Sequence, residues 1–308
     1  MNDRASDMQQ IGLVGAGTIG VGWAAYFLAR GLDVTAWDPD AAAREAFADR
    51  VAADMRTLGA EPRRPRLAES QAQAVAEAQL VVENAPESIA LKRRLLRELQ
   101  EAAPARALIA SSTSSLRHSD IAGEVADPSR VVIAHPFNPP HLVPLVELYG
   151  PAPEVVQRLA GFYRRIGKQP VVMRKEMVGH IANRLSSALW REALYLLQEG
   201  VASVEEIDRA VTAGPGRRWA IQGPFLTYHL GGGRGGIRHY LDHLGPSQEY
   251  RWASLGEPIM DEVFKQRIVE GVNAATRGQE VVPLVERRDA MLVALQRLPE
   301  DDDAKENY

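Results

Sequence analysis

Residues 11–38 read IGLVGAGTIGVGWAAYFLARGLDVTAWD. Residues 11–14 are a short apolar run with the character of a buried strand. Gly15-Ala16-Gly17-Thr18-Ile19-Gly20 follows at once. Residues 21–30 have a helical pattern that Gly31 stops, and residues 34–37 form a second strand ending at Asp38. The order is strand, G-x-G-x-x-G, helix, strand, acid, the sequence form of a dinucleotide-binding βαβ unit. Gly15 permits the tight turn, Gly17 lets the backbone approach a pyrophosphate, and Gly20 lets helix and strand pack closely. The turn 15–20, with Ala16, Thr18 and Ile19 between the glycines, offers a helix N-terminus to the anion. Asp38 lies eighteen residues after Gly20, where a carboxylate reaches a ribose 2′-hydroxyl. That charge would repel a 2′-phosphate, so the expected cofactor is NAD.

Outward from this unit the alternation continues. Residues 39–79 read as one or two amphipathic helices broken near 59–65, with Arg63, Arg64 and Arg66 in a small basic turn. Strands are expected at 80–82, 108–110, 131–134 and 170–173, and helices at 88–101 and 151–166. Strands alternating with helices imply a Rossmann-type, doubly wound parallel sheet over residues 1–176. Ligands bind such sheets outside the carboxyl ends of the strands. Glu87 and the hydroxyl-rich loop Ser111-Ser112-Thr113-Ser114-Ser115 both fall at strand ends.

The segment 131–147, VVIAHPFNPPHLVPLVE, carries the chemistry. His135 is expected at the end of a strand. Pro136, Pro139 and Pro140 then withhold N–H groups and restrict φ, which holds His135 and Asn138 on a stiff, extended loop. Glu147 follows a second apolar run twelve positions after His135. A carboxylate placed there would orient the imidazole and stabilise its charged form.

After about residue 176 the pattern turns helical, and residues 177–308 are expected to form an all-helical domain. Helices are expected at 178–198, with Asn183 and Arg184 near its start, at 204–213, and again from 259 to 272. Ser203 and Glu206 make a capping box for the second of these. Gly214-Pro215-Gly216 breaks the chain, and residues 223–246 mix glycines with aromatics and arginines. The acidic tail 300–308 has the composition of a disordered segment.

Composition narrows the functional classes. The 308-residue chain is 45% hydrophobic and 25% charged, with a formal net charge of −4. Such a balance offers no basic surface for nucleic acid. No apolar run reaches the length of a membrane span, and the first ten residues, MNDRASDMQQ, lack a signal peptide's apolar stretch. The expected setting is therefore the cytoplasm. The chain has no cysteine, which removes disulfides, thiolate metal sites and a cysteine nucleophile, and no metal site is expected.

The strings GAGTIG, VVENAPE, SSTSS, HPFNPP, LVPLVEL and GHIANRL, in that order and with Asp38, resemble the 3-hydroxyacyl-CoA dehydrogenase family over roughly residues 9–275. The resemblance implies a catalytic His135 with Glu147 as its partner, Ser114 against the substrate hydroxyl, and Asn183 from the NRL string. It adds Glu87, Lys92 and Asn138 to the cofactor residues, and it implies a homodimer formed through the helical domain. Members of the family that act on CoA thioesters carry a longer, lysine-rich helical hairpin after the second strand; residues 39–79 contain no lysine. The strings HPFNPPHLVPLVEL and AGPGRRWAIQGPFLTYHL are most similar to the branches that oxidise the 3-hydroxyl of small free acids. The expected reaction is oxidation of an L-gulonate-like 3-hydroxy acid to the 3-keto acid. L-carnitine or a 3-hydroxyacyl-CoA is the alternative substrate, and a non-catalytic NAD-binding structural protein is the reading from a different class. A free acid needs a cation for its carboxylate, for which Arg218 and Arg234 are the first candidates and Arg217 and Arg238 the next. Trp190, Trp219, Phe225, Tyr228 and Trp252 would instead suit a quaternary ammonium.

Overall fold

The computed structural model describes residues 8–297. The expectations for the first seven residues and for the acidic tail lie outside that range.

The described residues of the first unit are 8–184 together with 285–297. It is built on an eight-stranded sheet of β1 (Gln10–Val14), β2 (Asp33–Trp37), β3 (Arg66–Leu67), β4 (Leu80–Glu83), β5 (Leu108–Ser111), β6 (Val131–Pro136), β7 (Leu145–Tyr149) and β8 (Gln169–Val172). The spatial order is β3-β2-β1-β4-β5-β6-β7-β8. The chain winds outward from β1 to β3, returns to the middle at β4, and winds the other way. Neighbouring strands β1 and β4 therefore flank the topological switch point, where a doubly wound sheet opens a crevice.

Helices α1 (Thr18–Ala29), α2 (Ala41–Thr57), α3 (Gln71–Val75), α4 (Ile89–Ala102), α5 (His118–Ile121) and α6 (Pro153–Arg165) cover the two faces of the sheet. Side-chain alternation along the strands divides the core accordingly. Leu13, Val82, Ala110 and Val132 join Trp23, Phe27, Phe47 and Phe162 on one side. Val14, Val81, Ile109 and Val131 join Leu95, Leu96, Leu99 and Ile121 on the other. Strands buried on both faces explain the near-continuous apolar runs in the sequence.

Three details depart from the sequence reading. First, β7 pairs antiparallel with β6, so the sheet is mostly rather than wholly parallel. The linker 137–144 is too short for the crossover that parallel strands need. Second, β6 continues through His135 and Pro136, so His135 sits within a ladder, opposite Glu147. Third, a two-residue strand, β3, lies in the stretch expected to be helical.

The helix expected from residue 178 begins four residues later, as α7 (Ala182–Gln198). Gly179 and His180 have φ of 73° and 51°, which turns the chain before the helix can start. The second unit, residues 185–284, holds most of α7 and then α8 (Val204–Ala213), α9 (Pro215–Trp219), α10 (Pro224–Gly231), α11 (Gly236–Trp252) and α12 (Glu262–Ala275). The capping box of α8 forms as expected, with Glu206 N–H donating to Ser203 Oγ and the Glu206 carboxylate accepting from Ser203 N–H. Gly214 ends α8, but Pro215 opens α9 immediately, because proline is well placed in a first helical turn. A further helix, α13 (Val281–Gln296), has no counterpart in the sequence reading. From residue 285 onward it belongs to the first unit, where the Gln296 amide donates to the carbonyl of Leu142. Among the described residues no helix is long and apolar enough to cross a membrane.

Candidate active site

The glycine turn leaves room for a ligand and for nothing bulkier than glycine at two of its positions. Gly15 has φ of 103°, and a Cβ there would lie 2.7 Å from the Asn84 carbonyl oxygen. A Cβ on Gly20 would lie 1.9 Å from the Gly15 carbonyl oxygen. Around Gly17, by contrast, nothing approaches within 4 Å of an added Cβ. No side chain caps the start of α1, so its first N–H groups, in the Thr18-Ile19-Gly20 turn, present their dipole to open space. Asp38 directly follows β2 and accepts a 2.7 Å hydrogen bond from Ala16 N–H, which brings the carboxylate against the turn. An open glycine at a helix N-terminus with an acid beside it fits a dinucleotide pyrophosphate and ribose.

A cavity of ≈ 360 Å³ opens beside this turn. It is lined by Ile19, Asn84, Ala85, Glu87, Ser112, Ser114, Pro136, Phe137, Asn138, His135 and Asn183. Residues between 19 and 183 meet here, most of them because they end or follow β1, β4, β5 or β6, while Asn183 comes from the first turn of α7. Of the expected residues, Ile19, Glu87, Ser114, His135, Asn138 and Asn183 stand on this wall.

The β6–β7 register sets His135 directly opposite Glu147. His135 Nδ1 lies 2.9 Å from Glu147 Oε2, with the two side chains 6% and 1% exposed. The carboxylate oxygen can only accept, so Nδ1 carries the hydrogen and Nε2 is the ring nitrogen left for a ligand in the cavity. Glu147 Oε1 accepts from Ile181 N–H at 2.8 Å and Ala182 N–H at 3.0 Å, the entry to α7. Burial alone would raise the Glu147 pKa, but the hydrogen bonds from His135, Ala182 and Ile181 together hold it below the ordinary carboxylate value. It is therefore an anion at neutral pH, aimed at the imidazole.

Glu87 organises the hydroxyl loop in the same manner. Its Oε1 accepts from Thr113 Oγ1 at 2.6 Å, Ser115 N–H at 2.8 Å and Ser114 N–H at 3.0 Å. Burial pushes its pKa up, but the Thr113 hydroxyl, the Ser115 and Ser114 N–H groups and the nearby Lys92 ammonium outweigh that and lower it. Asn183 Nδ2 donates to the Ser114 carbonyl at 3.0 Å. An amide nitrogen has two hydrogens, so the second remains for a ligand oxygen.

Two groups of expected residues stand elsewhere. Lys92 is 1% exposed and off the cavity wall. Its ammonium is 2.7 Å from Glu83 Oε1 and 3.0 Å from the Ala85 carbonyl, and 3.8 Å from Glu87 Oε2. Its position on α4 points it inward at β4, where the buried Glu83 carboxylate needs a counter-charge. Arg218 and Arg234 lie in the second unit, on α9 and in the short turn after α10, and both are exposed. Among the described residues neither guanidinium has a hydrogen-bond or ion-pair partner, whereas Arg238 is paired with Asp242 at 2.8 Å.

The sequence reading did not single out Glu83 or His180. A carboxylate directly after the apolar run 80–82 was a usable signal for the first. Nothing in the sequence marks the second, whose ring lies 5.1 Å from that of His135. Among the described residues there is no cluster of three or more residues suited to a metal ion.

Comparison with known proteins agrees with this architecture. The profile of the 3-hydroxyacyl-CoA dehydrogenase NAD-binding domain matches residues 10–177, and that of the C-terminal domain of the same enzymes matches residues 179–271. The chain is 46% identical over 307 residues to an L-carnitine dehydrogenase of Streptomyces griseus, covering 95% of this chain and 92% of that one. It is 42% identical over 305 residues to an L-carnitine dehydrogenase of Bacillus cereus, covering 96% and 94%. Among solved structures, an NAD-dependent 5-formyl-3-hydroxy-2-methylpyridine 4-carboxylic acid 5-dehydrogenase superposes with a TM-score of 0.81 at 28% identity, over 94% of this chain and 98% of that one. The (S)-3-hydroxybutyryl-CoA dehydrogenase PaaH1 of Ralstonia eutropha gives 0.62 at 28% identity, over 73% and 82%.

Proposed function

The chain belongs to the 3-hydroxyacyl-CoA dehydrogenase family, as an NAD-dependent dehydrogenase of 3-hydroxy compounds, and we propose that its substrate is L-carnitine, oxidised at the 3-hydroxyl. The observation that carries this reading is the run of near-full-length relatives bearing the name L-carnitine dehydrogenase, from actinobacteria, bacilli, pseudomonads and Burkholderia. The gulonate-like expectation gives way to it. A CoA thioester is less well served, because α2 is followed by a turn whose Arg63 is already held by Asp33 and by the Leu28 and Leu32 carbonyls.

Bound NAD supplies the hydride acceptor. The protein's part is the proton. His135 Nε2 accepts it from the substrate hydroxyl, and Glu147 holds the Nδ1 hydrogen and stabilises the imidazolium as it forms. The free hydrogen of the Asn183 amide and the Ser114 hydroxyl steady the oxygen while its charge changes. Arg218 and Arg234 are the proposed partners of the carboxylate. The aromatic faces of Trp190, Trp219, Phe225, Tyr228 and Trp252 suit the trimethylammonium group. The reading includes a homodimer and a cytoplasmic setting.

A substrate panel followed by NADH absorbance tests it, with L-carnitine, D-carnitine, L-gulonate, 3-hydroxybutyrate and 3-hydroxybutyryl-CoA. L-carnitine should exceed every other member in kcat/KM by about 100-fold, a difference of about 2.7 kcal/mol in transition-state binding. A faster gulonate or CoA ester would reassign the substrate. NAD binding with no turnover of any acid would return the protein to the non-catalytic class.

A further inference from the structure

We infer that His180 is a positioning residue that fixes the distance between the His135 imidazole and the hydroxyl loop. The inference rests on the reading of His135 as the base. His180 is 2% exposed. Its Nε2 lies 3.0 Å from the Thr113 carbonyl oxygen, which can only accept, so Nε2 carries the hydrogen. The ring nitrogen left over, Nδ1, is buried with no hydrogen-bond partner. A buried imidazole with one donating and one bare nitrogen is a neutral one. Burial lowers its pKa, against the opposing pull of the Thr113 carbonyl.

The backbone says that a ring is wanted here. His180 has φ of 51°, the left-handed region, which glycine or asparagine adopts at lower cost than a histidine. Strain of this kind persists where the surroundings over-determine a residue, and it gathers at functional sites. The His180 side chain makes two contacts that neither smaller residue can make together. It bonds the hydroxyl loop at Thr113, and its ring lies against His135, centroids 5.1 Å apart and planes at 46°. Thr113 is itself bound to Glu87 through its hydroxyl, and the next residue is Ser114. The base is thus held by Glu147 at Nδ1 and flanked by the rings of Phe137 at 6.4 Å and His180 at 5.1 Å, and the His180 side chain joins it to the loop that carries Ser114.

Two substitutions separate the parts of this role. His180→Asn suits the backbone but removes the ring, and His180→Phe keeps a ring but loses the donor. Both would be measured on the fastest acid of the panel, with NAD affinity from fluorescence, the melting temperature, and the isotope effect with the substrate deuterated at its carbinol carbon. His180→Asn should lose about 10–100-fold in kcat, the scale of a 1 Å misplacement. KM, NAD affinity and melting temperature should stay close to wild type, and the isotope effect should rise as chemistry becomes slower. His180→Phe should retain more kcat than His180→Asn. Wild-type kcat in His180→Asn would overturn the inference, and so would kcat, KM and NAD affinity all falling in step with the melting temperature. His135→Gln is the separate control: full activity there would sink the reading of His135 itself.

Discussion

Glu147 shows how much one side chain settles. One oxygen orients His135 and the other receives two N–H groups at the entry to α7. Replacing His135 with Gln removes the proposed proton acceptor, so kcat should fall by about 10²–10⁴-fold. NAD affinity should be unchanged in a fluorescence titration, because the glycine turn and Asp38 are untouched. Activity near wild type would mean that the proton leaves by another group. Glu147→Gln should also lose most activity, since an amide nitrogen facing Nδ1 favours the wrong tautomer. It should alter stability in one direction only. Glu147 has a lowered pKa in the fold, so its contribution is present above the unfolded value near 4.5 and is lost as pH falls through the folded value. The melting-temperature gap between wild type and Glu147→Gln should therefore be open at pH 7 and narrow as the pH falls below 4.5. A gap that widened on acidification would contradict the assignment. His135 and Glu147 were legible because a histidine and a carboxylate each stood beside an apolar run. His180 was not, since an αL backbone leaves no mark on residue type when the residue is not glycine or asparagine.

At the scale of elements, the β1–turn–α1–β2 unit was the most legible part of the chain, because its glycines answer to steric demands that the fold repeats. Those demands differ along the turn, and mutation should separate them. Gly20→Ala puts a methyl group into the Gly15 carbonyl and should lower the melting temperature. Gly17→Ala meets nothing in the protein and should melt as wild type does. It should nevertheless weaken NAD binding by about tenfold, or about 1.4 kcal/mol, because the methyl occupies the space kept for the pyrophosphate. Calorimetric titration alongside thermal melts checks both. Unchanged NAD affinity in Gly17→Ala would mean that the dinucleotide does not approach the turn there. The antiparallel β7 was missed for a reason that lay in the spacing, since residues 137–144 cannot hold a crossover. The two-residue β3 was missed because a strand so short has no period to read.

At the scale of the molecule, the two units differ in how well they satisfy their own apolar surface. The sheet unit has two extended cores, one on each face. The helical unit has a core of three buried residues, Leu194, Leu197 and Phe264, with Val204, Ile207 and Ile268 packed against them. Its helices meanwhile hold Phe225 at 86%, Val263 at 81% and Tyr250 at 80% exposure, beside Leu185, Leu189 and Trp190 on α7. The sequence displayed the apolar helical pattern but not this imbalance, because periodicity states which face is apolar and not what covers it. The return of α13 to the sheet unit was equally invisible, resting on a long-range contact between Gln296 and the Leu142 carbonyl. Exposed apolar surface on this scale, in a unit with so small a core, is what obligate homodimers bury. Light scattering at micromolar protein should therefore give twice the chain mass. Tyr250→Glu with Val263→Glu should shift that mass toward a single chain while leaving far-ultraviolet circular dichroism unchanged at low temperature, because both side chains lie outside the small core. The double variant should also melt at a concentration-independent temperature, whereas the wild type should melt higher as its concentration rises, since association stabilises by mass action. A single-chain mass for the wild type, with a melting temperature indifferent to concentration, would show that the helical unit leaves its apolar faces in water and that the homodimer does not form.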